Sequence, residues 1–301
     1  MSHSAKAIHG SGVVNPATLI KEYYELTKPK VVALIVFTAL VGMFLATPDM
    51  VDWRVLVFGT LGIGLGAAAG AAVNQLVEQR SDALMSRTRR RPLPSGRVDG
   101  RDALLFSLFL AGLSMLVLVT QVNMLTAVLT FLSMIGYAIV YTLFLKRATP
   151  QNIVIGGAAG ATPPVLGWAA VTGTVDGHAL LLFLIIFTWT PPHFWALAIH
   201  RREDYAKADL PMLPVTHGNQ FTRLHVLLYT ILMVIVSILP YLTLMSGLLY
   251  LACAVLLGGV FLLYAVRLYR EEDPSLPMKT FGYSIIYLMG LFSALLFDHY
   301  L

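Results

Sequence analysis

Long apolar blocks separated by short polar segments run along almost the whole chain. Nine of them carry almost no charge, at about residues 31–47, 55–77, 103–121, 123–144, 152–171, 179–200, 225–244, 247–266 and 281–298. Blocks of roughly 17–25 residues have the length that a helix needs to cross a hydrocarbon layer about 30 Å thick. The pattern therefore predicts an all-α, polytopic membrane bundle with nine transmembrane helices. A short turn at Gln121–Asn123 joins the third and fourth helices.

The composition supports this prediction. Hydrophobic residues make up 57% of the 301 positions and charged residues 12%, whereas soluble domains have about 45–50% and about 25%. A water-soluble globule and a disordered chain are both excluded. Nine spans of about 20 residues leave no room for a separate soluble domain. We expect a cytoplasmic N-terminal arm over residues 1–30, with no signal peptide, and one transmembrane domain over residues 31–301.

The basic residues predict the orientation of the bundle. Of the 21 Lys and Arg residues, all but Arg54 fall in the N-terminal arm or in the loops after the second, fourth, sixth and eighth spans. Cytoplasmic loops carry the excess of Lys and Arg, so the N-terminus is expected in the cytoplasm and the C-terminus on the far side. The net charge of +5 is explained by this topology. A nucleic-acid partner is not expected, because that role needs a soluble basic face. The single cysteine excludes a disulfide framework within the chain.

The first cluster of candidate chemistry follows the second span. Asn74, Glu78 and Asp82 are spaced four residues apart, which places them on one slowly drifting stripe of a helix. Two carboxylates and an amide are hard oxygen ligands, and Mg²⁺ commonly bridges such carboxylates to a substrate phosphate. The alternative is a solvated helix end at the membrane surface.

Basic residues follow this stripe. The segment Arg87–Arg91 contains four arginines within five positions, and Lys146 and Arg147 lie at the edge of the fourth span. Guanidinium groups grip phosphate with two hydrogen bonds at once, so these residues could hold a diphosphate. The alternative is an anchor that binds lipid head groups.

The second cluster lies at the end of the sixth span. His193, His200 and Asp204 fall on one line if the helix continues past Asp204. We expect Pro191–Pro192 to kink or interrupt this span. A histidine inside a span indicates a functional site, and the alternative is a histidine that bonds to a neighbouring helix. Asp209 shares a face with Asp204 only if the chain turns between them.

Three segments carry a resemblance to a known family. They are NQLVEQRSDALMSRTRRRPLPSGR, LKRATPQNIVIGGAAGATPPVLGW and WTPPHFWALAIHRREDYAKADLPMLPVTHG. Together with nine spans and the motif Asn-x-x-x-Glu-x-x-x-Asp, they resemble the UbiA superfamily of intramembrane prenyltransferases. Within that superfamily they are similar to the enzymes that farnesylate haem B to haem O. The likeness covers about residues 24–298. It departs at Glu78, where the superfamily usually has Asp, and at Asp204 and Asp209, which are five residues apart rather than four.

The resemblance implies a function and a set of site residues. Farnesyl diphosphate and haem B would be the substrates, with haem B not a prosthetic group, and Mg²⁺ the cofactor. The implied metal ligands are Asn74, Glu78, Asp82, Asp204 and Asp209. The implied diphosphate contacts are Arg87, Arg91, Tyr141, Lys146, Arg147 and Lys207, and the implied haem contacts are His193, His200 and Trp195. Asp82, Asp204, His193 and Lys146 would be catalytic. The implied setting is the lipid bilayer of the bacterial inner membrane, with the active site on the cytoplasmic side. Haem A synthase or a terminal oxidase assembly would be a partner.

Three alternatives stay open at this point. The first is a UbiA-type enzyme that prenylates an aromatic ring such as a quinone precursor. The second is a secondary transporter, although transporters place their polar site residues near the bilayer midplane and the acids here lie at the ends of spans. The third is a non-catalytic assembly partner of a respiratory oxidase.

Overall fold

The computed structural model describes residues 16–301, with side chains from residue 17, and this part of the chain is helical without strands. The first half of the predicted arm lies outside the described residues. The helices are α1 (Pro16–Leu26), α2 (Pro29–Leu45), α3 (Thr60–Val77), α4 (Gln79–Leu84), α5 (Gly100–Gln121), α6 (Met124–Ile135), α7 (Lys146–Ala148), α8 (Asn152–Gly160), α9 (Pro163–Thr172), α10 (Gly177–His200), α11 (Arg202–Lys207), α12 (Leu213–Thr216), α13 (Gly218–Leu242), α14 (Leu248–Arg270) and α15 (Leu276–His299). Two π-helical segments, Val55–Gly59 and Gly136–Leu145, continue into α3 and α7.

The predicted all-α membrane bundle is confirmed. Eight segments of the described chain are long and apolar enough to cross a membrane, and α2 adds a ninth when it is taken with α1, from which it bends by 55°. The bounds agree with the predicted spans to within about seven residues, since hydrocarbon thickness determines helix length. The turn between α5 and α6 lies where it was predicted.

Small residues bring α2 and α9 into backbone contact. A Cβ atom on Gly167 would lie 1.9 Å from the carbonyl oxygen of Ala39, and one on Gly42 would lie 2.2 Å from the carbonyl oxygen of Pro164. Helices in membranes associate through such close contacts because lipid supplies no hydrophobic driving force between them. These two glycines therefore determine how closely the helices pack.

The core is centred on α10, which packs against α8, α9, α13 and α15. The helix is not interrupted at Pro191–Pro192, because α10 is one helix from Gly177 to His200. A proline inside a helix removes a hydrogen bond and costs about 3 kcal/mol. Most side chains of the second half of α10 are buried, and this packing on several sides holds the helix together through both prolines.

Two helix ends differ from the expected pattern at the polar end of the bundle. Helix α3 ends at Val77, and Glu78 is the junction with α4 at φ −85° and ψ 0°. Helix α10 ends at His200, because Arg201 leaves helical geometry at φ −105° and ψ 20°. The condition under which His193, His200 and Asp204 would share one helix face, a helix that continues past Asp204, is therefore not met. The two acidic segments form separate short helices, α4 and α11.

Candidate active site at the polar end of the bundle

Asn74 lies in the last turn of α3, where it joins three elements. It is 2% exposed, and its Oδ1 accepts a hydrogen bond from Nζ of Lys28. Its Nδ2 donates to Oγ1 of Thr142, at 3.1 Å. Lys28 lies at the bend between α1 and α2, so the N-terminal helix delivers a cation to this polar end.

Glu78 forms a buried ion pair with Lys146, the first residue of α7. Only 9% of the Glu78 side chain and 12% of the Lys146 side chain are exposed. Burial opposes ionisation of Glu78, but the positive charges of Lys146 and Lys28 outweigh it and hold the pKa of Glu78 below its ordinary value. Glu78 therefore remains an anion at neutral pH.

Asp82 is the most deeply buried acid of the site, at 1% exposed. Its Oδ2 accepts a hydrogen bond from Nη1 of Arg91 at 2.7 Å. The loop between the two residues is held by Thr88, whose hydroxyl donates to the Asp82 carbonyl oxygen at 2.9 Å. The second carboxylate oxygen, Oδ1, is buried and has no hydrogen-bond partner. An unpaired buried acceptor costs about 1–3 kcal/mol, and more when it is charged.

Asp204 of α11 contacts the loop that follows α4. Its Oδ2 accepts a hydrogen bond from the Ser86 hydroxyl at 2.8 Å, and Arg201 lies 3.8 Å from the same oxygen. Burial opposes ionisation, but the hydrogen bonds from Ser86 outweigh it and keep the pKa of Asp204 below its ordinary value. Because Ser86 is four residues after Asp82, the two acidic segments meet at one end of the bundle.

A pocket of about 320 Å³ opens beside these residues. Its lining includes Glu78, Ser81, Thr142, Lys146, Arg147 and Leu210. Arg147 is exposed, and its Nη2 donates to the Ser81 hydroxyl at 3.4 Å. The pocket therefore has one anion, Glu78, and three cations, Arg80, Lys146 and Arg147, on its wall, which suits a metal-bound diphosphate.

The oxygen atoms present fit a magnesium ion. Between residues 16 and 301 no three His, Cys, Asp or Glu side chains come close enough to hold a metal. Mg²⁺ keeps several waters and commonly uses only one or two carboxylates together with substrate phosphate. The unpaired oxygen of Asp82, together with the side-chain oxygens of Asn74 and Glu78 at the same end of the bundle, would provide such ligands.

Other residues of the predicted set lie at the same end but in solvent. Arg87, Lys207, Asp209 and His200 are exposed. Asp209 follows α11 in the left-handed region, at φ 51°, and the structure does not bring it onto the other acids. Their predicted roles remain predictions.

Tyr141 lies in the π-helical segment Gly136–Leu145, directly before the pocket residues. Its ring stacks on Tyr137, with centroids 5.8 Å apart. A Cβ atom on Gly156 of α8 would lie 2.1 Å from the Tyr141 ring, so glycine is required for this close approach. The phenol is thereby fixed one helical turn from Lys146.

The predicted haem residues have different environments. His193 is 7% exposed and stacks on Trp189. Trp195 is fully buried and packs edge-on against His225 and Tyr229, with ring centroids 5.9 Å and 5.3 Å away. Trp195 therefore fills the core between α10 and α13.

The UbiA prenyltransferase family matches residues 35–294 of the chain. This chain belongs to the UbiA prenyltransferase family. It is 63% identical over 280 residues to a protoheme IX farnesyltransferase of Marinobacter nauticus, covering 93% of each chain. It is 60% identical to one of Nitrosococcus oceani, covering 93% of this chain and 94% of the relative. The chain is thus a prenyltransferase, and among UbiA enzymes it groups with the protoheme IX farnesyltransferases.

Solved UbiA structures have the same fold. A digeranylgeranylglyceryl phosphate synthase aligns with a TM-score of 0.77 at 20% identity, covering 93% of this chain and 98% of that chain. A UbiA homologue from Archaeoglobus fulgidus bound to DMAPP and Mg²⁺ aligns at 0.61 and 18% identity, covering 91% and 99%. The fold is therefore that of the UbiA family.

Sequence reasoning missed three residues around the UbiA-type site. Lys28 bonds to Asn74, Ser86 bonds to Asp204, and Ser284 bonds to His193. Lys28 was counted only as a topology signal, and the two serines carry no signal in the sequence. One feature of the sequence could have indicated that Lys28 belongs to the site: it is a polar residue at the junction between α1 and α2.

Proposed function

We propose that this prenyltransferase moves the farnesyl group of farnesyl diphosphate onto a vinyl group of haem B, giving haem O with the aid of Mg²⁺. The names of relatives about 60% identical along nearly the whole chain support haem as acceptor. The Archaeoglobus homologue bound to DMAPP and Mg²⁺ supports a metal-bound diphosphate. Residues 31–301 act as one transmembrane domain in the bacterial inner membrane, and the polar end faces the cytoplasm.

One observation carries the proposal. Asp82 keeps a buried, unpaired carboxylate oxygen while cations hold the acids around it. A fully paired arrangement would be expected if these residues only stabilised the fold, because an unpaired buried charge is costly. The unpaired oxygen supports a role in binding a further positive group.

The residues of the polar end would perform the first half of the reaction. When bound, Mg²⁺ supplies positive charge to the diphosphate, and Asn74, Glu78 and Asp82 would hold it. Lys146 and Arg91 can exchange their carboxylate partners for diphosphate oxygens. They then stabilise the negative charge that develops on the leaving group. Buried, fixed donors of this kind need little reorganisation during the reaction.

The covalent steps follow from the chemistry of an allylic diphosphate. The bond between C1 and oxygen breaks, and its electron pair leaves with the diphosphate. The vinyl π electrons of haem form the new bond to C1, which leaves a cation on the carbon next to the porphyrin ring. Water adds to that carbon and releases a proton, giving a hydroxyl group. Before that addition, the apolar helices keep water away from the allylic carbon.

A reaction with purified components tests the proposal. Protein in detergent is incubated with haem B, farnesyl diphosphate and Mg²⁺, and the porphyrin products are measured by mass spectrometry. A porphyrin that gains one farnesyl group and one hydroxyl group is the expected product. An unchanged porphyrin, together with prenylation of a hydroxybenzoate offered in parallel, would instead establish the aromatic-ring enzyme.

Variants at neighbouring acids make this test specific. Asp204→Asn should reduce haem O formation, whereas Glu203→Gln, an exposed neighbour on the same helix, should leave it unchanged. Equal loss in both variants would show that α11 acts through its fold and not through the Asp204 carboxylate.

A further inference from the structure

The buried imidazole of His193 is held on three sides. Its ring stacks on Trp189 at 4.2 Å between centroids and on Phe281 at 4.5 Å, with interplanar angles of 20° and 28°. Its Nδ1 lies 2.6 Å from Oγ of Ser284 on α15. Ser284 also accepts a hydrogen bond at its carbonyl oxygen from Nε1 of Trp189, at 2.8 Å. Ser284 thus positions two ring side chains of α10, those of Trp189 and His193.

These hydrogen bonds determine the tautomer of His193. The Ser284 hydroxyl donates its single hydrogen to the Phe281 carbonyl oxygen at 2.6 Å, and a carbonyl can only accept. The hydroxyl oxygen must therefore accept from His193, which places the imidazole hydrogen on Nδ1. Nε2 is then left with a lone pair.

Nε2 has no hydrogen-bond partner among the residues that the structure describes, although His193 is only 7% exposed. The two ring nitrogens diverge, so Nε2 faces away from Ser284 and α15. A neutral imidazole whose other N–H is held by a fixed acceptor is the arrangement in which histidine binds a metal. Stacking on both ring faces keeps the ring from rotating.

We infer that Nε2 of His193 is an axial ligand of the iron of the porphyrin substrate, with Ser284 as its positioning residue. The inference rests on the proposed function for the identity of the acceptor. Histidine is a common axial ligand of haem iron. As the axial ligand, His193 would bind and orient the porphyrin.

The position of His193 along α10 suits this task. It precedes His200, at the polar end of the helix, by seven residues, which is roughly 10 Å at 1.5 Å per residue. A porphyrin centred at that depth can extend a peripheral vinyl group toward the polar end, where farnesyl C1 leaves its diphosphate. Axial ligation would thus fix which edge of the porphyrin meets the allylic carbon.

Absorption spectra of bound haem test the inference without farnesyl diphosphate or Mg²⁺. Ferric and ferrous haem B are titrated into wild-type protein and into His193→Gly, Ser284→Ala and His225→Ala. His225 is the matched control, because its Nδ1 is likewise held by an oxygen acceptor, the carbonyl of Phe221 at 2.8 Å. We expect a histidine-ligated spectrum for wild type and for His225→Ala, its loss in His193→Gly, and its return when imidazole is added. Ser284→Ala should retain the spectrum but bind haem roughly tenfold more weakly.

Metal-free protoporphyrin separates ligation from packing. It should bind wild type and Ser284→Ala equally well, because no iron is present; a purely structural role for Ser284 would weaken both porphyrins alike and contradict its positioning role. Should His193→Gly fail to fold, the nitrosyl complex of ferrous haem in wild type gives the answer by electron paramagnetic resonance. An axial histidine nitrogen splits each nitrosyl line further, into three lines for ¹⁴N. Labelling histidine with ¹⁵N must change this further splitting from three lines to two, and an unchanged splitting overturns the inference.

The two proposals fail in different ways. If wild type makes haem O but the spectra of wild type and His193→Gly are identical, axial ligation is wrong and the proposed function stands. If the spectra change as expected but no haem O forms with farnesyl diphosphate and Mg²⁺, the proposed function fails and a haem-binding role remains. If only His225→Ala loses the histidine-ligated spectrum, His225 and not His193 binds the iron, and the inference is overturned.

Discussion

At the scale of single residues, the site consists of buried acids that each contact a positive or donating group. Asn74, Glu78 and Asp82 could be selected from the sequence because oxygen ligands recur every four residues where a span ends. Their partners could not be predicted, because Lys28 and Ser86 come from distant or featureless segments. Hydrogen bonds between such segments depend on tertiary packing, which spacing along one helix does not contain.

Asp82→Asn tests the most deeply buried acid. The amide keeps a hydrogen-bond acceptor for Arg91 but loses the negative charge, so farnesyl transfer should fall by about a hundredfold or more. The thermal unfolding midpoint in detergent should change little. The exposed Asp102 provides the control variant Asp102→Asn. Turnover of Asp82→Asn at the wild-type rate would contradict a role for Asp82 in binding the metal.

Lys146→Met tests the buried ion pair. It leaves the Glu78 carboxylate without its closest cation, and breaking a buried pair costs about 3 kcal/mol or more. Denaturation in detergent should show this loss, and adding Glu78→Gln should recover part of it. Lys279→Met is the matched control, because Lys279 is exposed and 3.9 Å from Asp273, a pair worth less than about 1 kcal/mol. Equal stability of the two single variants would contradict the assigned pairing.

At the scale of helices, lengths are predictable from the sequence and junctions are not. Apolar blocks gave all nine spans, since the hydrocarbon layer fixes how many residues must be apolar. The breaks at Glu78 and Arg201 carry no glycine or proline to indicate them. Conversely, Pro191–Pro192 suggested a break that packing around α10 prevents. The geometry of a helix junction depends on which neighbouring helices pack against it, and a single sequence does not show those neighbours.

Gly167→Ala tests the contact between α2 and α9. Its Cβ atom would lie 1.9 Å from a backbone oxygen, so the helices must separate, and overpacking of this kind costs about 1–3 kcal/mol. Gly259→Ala in α14 has open space around its Cβ and should be neutral or slightly stabilising, as alanine favours helix. Unfolding in detergent measures both, and a Gly167→Ala variant as stable as wild type would rule out the close contact.

At the scale of the whole molecule, the charges divide the two ends of the bundle. Among residues 16–301, the Lys and Arg residues lie toward the polar end except Arg54, which lies at the opposite end. The charges predict that the polar end faces the cytoplasm, because orientation depends on summed charge and not on side-chain geometry. The contact between α4 and α11 could not be predicted, since Ser86 and Asp204 are 118 residues apart.

Fusions of alkaline phosphatase test this orientation. Alkaline phosphatase is active only outside the cytoplasm. A fusion after Ser246, between α13 and α14, should therefore show phosphatase activity. A fusion after Asp273, between α14 and α15, should be inactive. Both fusion proteins are quantified by immunoblot as the control for expression. The reverse pattern of activity would place the acids on the far side of the membrane.

The claim that the two acidic segments bind one metal diphosphate is tested most directly by a double-mutant cycle. Binding of Mg²⁺ with a non-reactive farnesyl thiodiphosphate is measured by calorimetry for wild type, Asp82→Asn, Asp204→Asn and the double variant. Groups that act on one ligand should couple by about 0.5–3 kcal/mol, so the double variant should lose less affinity than the sum of the single losses. Strictly additive losses would mean that Asp82 and Asp204 act independently and would contradict the account.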